Sequence, residues 1–298
     1  MFKKVLLWIL GIALAGIVVV GGVAAYKIHD TTSKIHSMDS SLSKTSDDKT
    51  RDGKSVAYLL LGTDTGDLGR TEKGRTDTMM VMVVNPDSKT TTMVSLQRDT
   101  RIQIDGVDAK LNAAYALGDA KQAVDEVEQL LDIKLDGYLL VNMKGMEQLV
   151  DAVGGVTVKS PLTFSYEGYS FTENQEANLN GKSALAFSRM RYDDPRGDYG
   201  RQVRQQLVIE AVMNKLKADP TSALNNDFLD AVSGNVRSNI SLTSLRNLAS
   251  KYRDSAQTIN RDQMTGTGSM IGGVSYQEIS SNEIQRVHNE IENALNAN

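Results

Sequence analysis

The chain has 298 residues, of which 40% are hydrophobic and 23% are charged, and its formal net charge is −4. This length accommodates a membrane anchor together with one large domain or two small ones. The acidic balance argues against nucleic acid as a partner, because binding to a phosphate backbone requires a basic surface. Cysteine is absent, which excludes thiol nucleophiles, redox CxxC pairs and cysteine zinc sites.

The chain contains three histidines, His29, His36 and His288, and none has a second ligand at metal-binding spacing. This scarcity argues against a Ser-His-Asp triad and against a histidine-rich metal site. A general base in this protein would therefore be a carboxylate or, as the second choice, a lysine.

Residues 5–26 form a run without a charged side chain, flanked by Lys3 and Lys4 before it and Lys27 after it. At ~1.5 Å per residue, a helix of this length reaches roughly 33 Å, enough to cross the ~30 Å hydrocarbon core of a bilayer. A cleaved signal peptide is the alternative, but the run exceeds the ~7–15 apolar residues of a typical signal sequence. We therefore expect a cytoplasmic tail at 1–4, a transmembrane anchor at 5–26, and the rest of the chain outside the membrane.

The segment after the anchor is polar. Residues 30–54 are rich in Ser, Thr, Asp and Lys and contain almost no apolar residues, which predicts a stalk or linker over 27–54. The remaining residues, 55–298, then form the extracytoplasmic domain.

Apolar runs in residues 55–298 predict strands. Residues 56–61 are continuously apolar and end at Gly62, which is typical of a strand buried on both faces. Residues 78–84 and 91–96 flank a turn at 85–88 and predict a hairpin. Shorter strands are predicted at 138–141 and 156–158.

Helical spacing and end signals predict helices at 121–131, 143–153, 179–190, 200–217, 222–232, 242–252 and 280–296. Strands and helices alternate along the chain. This order predicts an α/β fold with a mixed central β-sheet covered by helices.

The most informative stretch is arginine-rich. It contains five arginines and no lysine between its first and last arginine, at positions Arg189, Arg191, Arg196, Arg201 and Arg204. A planar guanidinium is the better side chain where phosphate oxygens are held in bidentate fashion. The alternative is a solvated loop in which these arginines pair with Asp193, Asp194 and Asp198, and such surface pairs contribute only ~0–1 kcal/mol each.

Other charged residues lie at the ends of predicted strands, where α/β sheets usually bind ligands. Asp64 follows the strand at 56–61, and Arg75 and Asp77 precede the next strand. Arg98 and Asp99 follow the strand at 91–96. Two carboxylates at strand ends suit Mg²⁺, which prefers oxygen ligands. Each of these aspartates could equally serve as a helix cap or turn residue.

Taken together, these segments resemble the LytR–CpsA–Psr family of bacterial cell-envelope proteins. The similarity runs in order through about residues 56 to 215, and the matching segments are LLLGTD (59–64), GRTDTMMV (74–81), NPDSK (85–89), SLQRDT (95–100), KLNAAYALG (110–118), VNMKGMEQLVDAVGGV (141–156), LNGKSALAFSRMR (179–191) and GDYGRQVRQQ (197–206).

The resemblance implies an α-β-α domain held as a single-pass type II protein on the outer face of a Gram-positive cell membrane. It also implies a reaction. A glycopolymer, such as wall teichoic acid or capsular polysaccharide, is transferred with one phosphate from undecaprenyl pyrophosphate to a peptidoglycan hydroxyl, and undecaprenyl phosphate is released.

The resemblance also implies roles for individual residues. Mg²⁺ (or Mn²⁺) would be held by Asp64 and Asp77, and the catalytic residues would be Arg75, Arg98 and Asp198. The pyrophosphate would be bound by a larger set: Arg75, Arg98, Arg189, Arg191, Arg201, Arg204 and Gln205.

The mechanism expected from these residues is charge stabilisation by arginines and Mg²⁺, with Asp198 or Asp99 accepting the proton of the attacking hydroxyl. An apolar groove for the polyprenyl chain would be lined by Leu207, Ile209, Val212 and Leu216, although these residues could simply be core. Three alternatives stay open at this point: a membrane-bound transcriptional attenuator, a binding module without chemistry, and a pyrophosphatase that uses water as the acceptor. The donor polymer is not specified by the sequence.

Overall fold

The structure is a computed structural model that describes residues 40–63, 74–219, 226–252, 254–255 and 257–298. The predicted anchor at 5–26 and the first part of the predicted stalk lie outside these residues. Within the described ranges, no helix has both the length and the apolar character required to cross a bilayer.

The strands of the described residues, in chain order, are β1 (Val56–Thr63), β2 (Thr76–Asn85), β3 (Thr90–Ser95), β4 (Arg101–Ile104), β5 (Val107–Lys110), β6 (Gly137–Asn142), β7 (Val156–Lys159), β8 (Phe164–Tyr166), β9 (Tyr169–Phe171), β10 (Glu176–Leu179), β11 (Val236–Ser238), β12 (Thr258–Gln263), β13 (Thr267–Ile271) and β14 (Val274–Glu278). The helices are α1 (Ser40–Asp52), α2 (Ala113–Leu131), α3 (Met143–Ala152), α4 (Gly181–Arg189), α5 (Asp198–Ala218), α6 (Asn226–Asn235), α7 (Leu242–Lys251) and α8 (Ser281–Asn296).

The central sheet has six strands in the order β11-β6-β1-β2-β3-β12. β1 is antiparallel to β2 and parallel to β6, and β3 is parallel to β12, so the sheet is mixed. The predicted hairpin is confirmed, since β2 and β3 are antiparallel with Met82 opposite Met93. The short strands β4, β5, β8–β10 and β11–β14 were not predicted, because most have only three to five residues and half-exposed patterns.

Alternating side chains of β1 enter two separate cores. Val56, Tyr58 and Leu60 face a core formed with α3, α4, α5, α6 and α7. Ala57 and Leu59 face the opposite core, formed with α2 and α8. Because both faces are covered, the continuous apolar run of β1 is explained by burial on both sides. The predicted α-β-α architecture is therefore confirmed.

Part of the predicted stalk belongs to the folded domain. Residues 40–52 form helix α1, in which Ser46 and Thr50 are buried. Ser46 Oγ lies 2.9 Å from Tyr58 Oη and accepts from Ser244 Oγ at 3.0 Å. The assignment of residues 40–54 to a stalk is thus a correction: this polar helix packs on α7 through hydrogen bonds, which a search for apolar periodicity does not detect.

The α1–α7 contact predicts a measurable stability difference between two adjacent aspartates. Asp47 Oδ1 accepts from Ser244 Oγ at 2.6 Å and from Ser244 N at 3.1 Å. We expect Asp47→Ala to lower the free energy of unfolding by about 1–3 kcal/mol, because it leaves buried donors unsatisfied. Chemical denaturation measures this loss.

The matched control for this prediction is Asp48→Ala, one residue further along. Asp48 pairs with Arg51 on the exposed surface at 2.9 Å, so its loss should cost less than about 1 kcal/mol. Equal losses for the two variants would contradict the docking of α1 on α7.

Candidate active site

Helix α5 carries several predicted site residues and is fixed to the sheet by buried glutamines. Gln202 Nε2 donates to Leu96 O at 3.0 Å, and Gln206 Nε2 donates to Ser95 Oγ at 3.0 Å. Both acceptors lie at the end of β3. The first turns of α5 are therefore held beside the strand ends of β2 and β3, where the other predicted residues lie.

Guanidinium groups from distant parts of the chain converge on Asp198, the first residue of α5. Asp198 Oδ1 lies 2.9 Å from Arg201 Nη2 and 3.7 Å from Arg98 Nε. It also lies 3.9 Å from Arg191 Nη1. The N-terminal end of a helix adds a positive potential at this point. The structure thus brings together residues that follow β3, follow α4 and begin α5.

Asp77 is the second carboxylate of this cluster. Its side chain accepts a hydrogen bond from Arg98 Nη1, and its backbone carbonyl accepts from Arg201 Nη2 at 2.8 Å. Asp77 therefore connects the start of β2 to both arginines. We call Asp77, Arg98, Arg191, Asp198 and Arg201 the charged cluster.

Asp99, the alternative base, has a different environment. Its Oδ1 accepts from Lys110 Nζ at 2.8 Å, and its Oδ2 lies 3.7 Å from Arg98 Nε. Lys110 was not among the predicted site residues. It lies within the matching segment KLNAAYALG (110–118), whose backbone also binds the cluster, since Asn112 N donates to Arg98 O at 3.0 Å.

The pKa values of the two central arginines shift in opposite directions. Burial works to lower the pKa of Arg98, but the carboxylates of Asp77, Asp198 and Asp99 outweigh it, so this pKa is raised. Burial lowers the pKa of Arg201, an effect that Asp198 opposes and the cation of Arg98 reinforces. Both remain cationic at neutral pH, because the ordinary pKa of arginine lies above about 12.

Several polar atoms of the site have unused hydrogen-bonding capacity. Among the described residues, Arg98 Nε, Arg201 Nε and Gln205 Oε1 are buried and have no hydrogen-bond partner. Asp198 Oδ1 has the ion-pair contacts given above, yet none has hydrogen-bond geometry. Because buried polar groups are normally satisfied, these atoms are open to hydrogen bonds from a polar ligand or from water.

An apolar cavity adjoins the charged cluster. Its empty space, including the part open to solvent, is about 1020 Å³. The polar end is lined by Thr63, Thr78, Arg189 and Gln205, and Thr78 directly follows Asp77. The apolar walls come from β1, β6, α3, α4, α5 and β11, through Leu60, Leu61, Leu139, Val141, Met143, Met146, Leu149, Leu185, Val208, Ile209, Val212 and Val236.

This lining partly matches the predicted groove. Ile209 and Val212 line the cavity, whereas Leu207 and Leu216 pack in the surrounding core. The methionines of α3 were missed, because their helical spacing is equally typical of an ordinary core face.

The remaining predicted arginines are placed as follows. Arg189 lines the polar end of the cavity, with Nη1 3.6 Å from Glu167 Oε1. Arg75 is exposed and immediately precedes β2, two residues from Asp77. Asp64, the second predicted metal ligand, lies outside the described residues. Within the part of the chain that is described, no three His, Cys, Asp or Glu side chains lie close enough to hold a metal ion.

Arg204 does not bind a ligand in this arrangement, so its predicted role is a correction. The side chain is fully buried, and Nε donates to Phe187 O at 2.9 Å. Its other nitrogens donate to Asp194 Oδ2 and Met190 O. Burial lowers the pKa of Arg204, although Asp194 opposes this effect. Arg204 therefore stabilises the loop before α5 from the interior of the domain.

The close approach of this loop requires a glycine. A side chain at Gly200 would place its Cβ 1.8 Å from Asp194 Oδ2, so only glycine lets Asp194 reach Arg204 across the first turn of α5. The Arg204–Asp194 ion pair and the close approach of Asp194 to Gly200 hold the loop between α4 and α5 against the start of α5. This loop carries Arg191, and α5 begins with Asp198.

An α-β-α domain with a charged cluster beside an apolar cavity is the class of protein suited to amphipathic molecules with anionic head groups. Comparison with known proteins identifies the family. A sequence model of the LytR_cpsA_psr family matches residues 22–293. The chain is 44% identical over 301 residues to the polyisoprenyl-teichoic acid–peptidoglycan teichoic acid transferase TagU of Enterococcus faecalis, covering 99% of this chain and 98% of that protein.

Solved structures of similar proteins have the same fold. Protein gbs0355 of Streptococcus agalactiae superposes with a TM-score of 0.75 at 37% identity, covering 84% of this chain and 91% of that one. TagT bound to LI-WTA superposes with a TM-score of 0.64 at 26% identity, covering 82% and 91%. The chain belongs to the LytR_cpsA_psr family.

The environment of Arg204 generates a prediction about stability. We expect Arg204→Met to lower the free energy of unfolding by about 3–5 kcal/mol, because it leaves the Asp194 carboxylate buried without its partner. The control is Arg191→Met, which removes a partly exposed arginine from the neighbouring loop and should cost less than about 1 kcal/mol. Denaturant titration of both variants decides the matter, and a smaller loss for Arg204→Met than for Arg191→Met would refute the supporting role.

Proposed function

We propose that this protein is a phosphotransferase that moves a glycopolymer with one phosphate from undecaprenyl pyrophosphate to a peptidoglycan hydroxyl. The observation that carries the proposal is the adjacency of the charged cluster to the apolar cavity, since Thr78, Arg189 and Gln205 of the lining lie one to four residues from members of the cluster. An isoprenoid chain fits the apolar walls, and its pyrophosphate then meets the arginines. The name of the E. faecalis relative favours teichoic acid as the polymer.

The reaction replaces the phosphoanhydride bond of the donor with a phosphodiester bond to the acceptor. The acceptor hydroxyl oxygen attacks the phosphorus that carries the glycan, and the bond from that phosphorus to the bridging oxygen breaks. Undecaprenyl phosphate leaves with the bonding electrons, and the hydroxyl proton passes to a carboxylate. The arginines stabilise the charge that develops on the phosphoryl oxygens and on the leaving phosphate, which is the main contribution that a protein makes to such transfers.

The carboxylate that accepts the proton is Asp198 in this proposal. Its Oδ1 has no hydrogen bond among the described residues and its Oδ2 accepts from Arg201 Nη2 at 3.1 Å, whereas Asp99 binds Lys110 at 2.8 Å and lies outside the charged cluster. A proton acceptor needs a free lone pair within reach of the acceptor hydroxyl. Asp198 meets the first condition and lies inside the charged cluster.

Mg²⁺ (or Mn²⁺) is the cofactor in this proposal, held by Asp77 and Asp64. Asp77 supplies the oxygen ligand that such ions prefer, and it already lies against Arg98 in the charged cluster. When bound, the ion would offset negative charge on the pyrophosphate. We expect Mg²⁺ to raise the melting temperature of the pyrophosphate-bound protein, and Asp77→Asn to abolish that increase; an unchanged increase would exclude Asp77 as a ligand.

The location that we propose is the outer face of the cell membrane, with residues 5–26 as a single-pass anchor. The support comes from the uncharged sequence of 5–26 and its flanking lysines. External protease added to intact spheroplasts should digest the domain, and protection from the protease would rule out this orientation.

The charged cluster predicts which arginines bind the donor. Each charge-assisted hydrogen bond contributes roughly 1.5–3 kcal/mol, so Arg98→Gln and Arg201→Gln should each weaken polyprenyl pyrophosphate binding roughly ten- to hundredfold. Calorimetric titration measures binding, and a product assay with peptidoglycan measures transfer. Arg196→Gln is the control, because Arg196 binds Gln263 at 2.8 Å outside the cluster.

Two outcomes of this experiment would reject the function. Wild-type affinity and transfer in both cluster variants would reject the site. Release of the glycan phosphate without any peptidoglycan adduct in the wild-type protein would identify a pyrophosphatase instead.

The cavity predicts a dependence on chain length. Val212 is buried and lines the cavity, so Val212→Phe should shorten the space and weaken binding of undecaprenyl pyrophosphate more than that of farnesyl pyrophosphate. Leu216→Phe is the control: it is equally buried one turn further along α5 but lies outside the cavity lining. Identical chain-length profiles for the two variants would show that the cavity does not receive the lipid.

A further inference from the structure

Five large apolar side chains are exposed among the described residues: Val107, Leu117, Tyr192, Met270 and Val274. Met270 and Val274 lie together at the tip of one hairpin, that of β13 and β14. Single exposed apolar residues need no explanation, but neighbouring ones mark an interaction surface.

The hairpin of β13 and β14 has Met270 and Val274 beside its Gly272-Gly273 turn, 69% and 43% exposed. The base of this hairpin is attached to β4, since Arg101 Nη1 contacts Glu278 Oε1 at 3.3 Å and Thr100 forms a parallel bridge with Gln277. Because β4 runs toward its own turn while β14 runs away from its turn, the tip of the β4–β5 hairpin points away from the β13–β14 tip.

The β13–β14 hairpin also carries no charge except Glu278 at the end of β14. Residues 263–277 contain no Asp, Glu, Lys or Arg. Isolated hairpins in water normally protect their edges with charged side chains. A hairpin with an uncharged, aliphatic tip is suited to a less polar environment than bulk water.

The hairpin is rigidly connected to the candidate active site. Gln277 N donates to Asp99 O at 2.8 Å, and Gly266 N donates to Tyr199 Oη at 2.8 Å. Tyr199 directly follows Asp198. Whatever binds the hairpin tip is therefore held at a fixed position relative to the charged cluster.

We propose that the β13–β14 hairpin inserts its tip into the outer surface of the lipid bilayer. The glycines and aliphatic side chains of the tip enter the boundary of the acyl chains, and the Arg101–Glu278 ion pair at the base of the hairpin stays at the level of the head groups. The inserted tip holds the polar end of the cavity against the membrane, so that a lipid-linked donor enters the cavity directly from the bilayer.

The choice of a bilayer as the partner rests on the proposed function, because a polyprenyl donor resides in the membrane. The sequence supplies a second argument, since residues 5–26 would tether the domain to the same membrane. Residues 27–39 reach at most roughly 45 Å when extended. The charged cluster lies at one end of the strands, and the other end is about 26 Å away, the length of an eight-residue strand such as β1. A tether of roughly 45 Å is therefore long enough to let the end with the charged cluster face the membrane.

The absence of cysteine permits a direct test with single-cysteine variants of the full chain. Met270→Cys and Val274→Cys, labelled with a small fluorophore, are reconstituted in vesicles whose lipids carry brominated acyl chains. We expect the bromines to remove most of the fluorescence of both labels. The control is Asp87→Cys in the β2–β3 turn, an exposed position at the opposite edge of the sheet, whose label should keep its fluorescence.

Three outcomes would overturn the proposal: no quenching at positions 270 and 274, equal quenching at position 87, or shielding of the tip by isolated peptidoglycan or by a second copy of the chain instead of by lipid. This readout needs no catalysis, so it stands apart from a failure of the transferase function.

A second experiment tests whether insertion of the hairpin affects the transfer reaction. We expect Met270→Asp combined with Val274→Asp to reduce transfer from a donor embedded in vesicles and to leave transfer from a detergent-dispersed donor unchanged. Because both side chains are exposed, the substitutions do not disturb the core. An equal loss in both assays, or no loss in either, would count against insertion.

Discussion

The site depends on keeping three guanidinium groups close together in a partly buried place. Guanidinium groups that approach the same carboxylate repel one another strongly where water is scarce. The fold therefore places carboxylates between them. Asp198 lies between Arg98, Arg191 and Arg201, and Asp77 contacts Arg98. These five side chains carry three positive and two negative charges, and Asp99 is balanced by Lys110. The described cluster therefore retains an excess of positive charge and open hydrogen-bonding positions, which suits an anionic ligand.

Residues on different sides of the long helix α5 contribute to the charged cluster, to the cavity and to the attachment of the helix to the sheet. Asp198 and Arg201 face the cluster, and Gln205 one turn later lines the cavity. Gln202 and Gln206 both donate hydrogen bonds to the end of β3, and these bonds fix the position of the helix on the sheet. Arg204 supports the preceding loop through Asp194. Residues that face the charged cluster or the cavity, residues that attach the helix to the sheet and the residue that supports the loop thus alternate along about two turns of one helix.

The sequence predicted the parts of the fold that burial dictates. The β1 run, the β2–β3 hairpin and the helices α3, α4, α5, α7 and α8 follow from apolar periodicity and end signals, and they agree with the structure to within a few residues. Helix α1 was missed because polar hydrogen bonds attach it to the domain, so that no apolar stripe marks it. The short hairpins were missed because turns and local contacts fix them.

The charged residues show where sequence reasoning ends. Arg201 and Arg204 are three residues apart, and that spacing predicts one shared face of a helix. In the structure Arg201 reaches Asp198 in the site, while Arg204 turns into the interior toward Asp194. A long, flexible side chain can point either way from the same helical face, and only the neighbouring loop decides which. Residue type and spacing therefore selected arginines that the fold does bring close together, but the separation of exposed-side arginines from the buried, supporting Arg204 required the three-dimensional contacts.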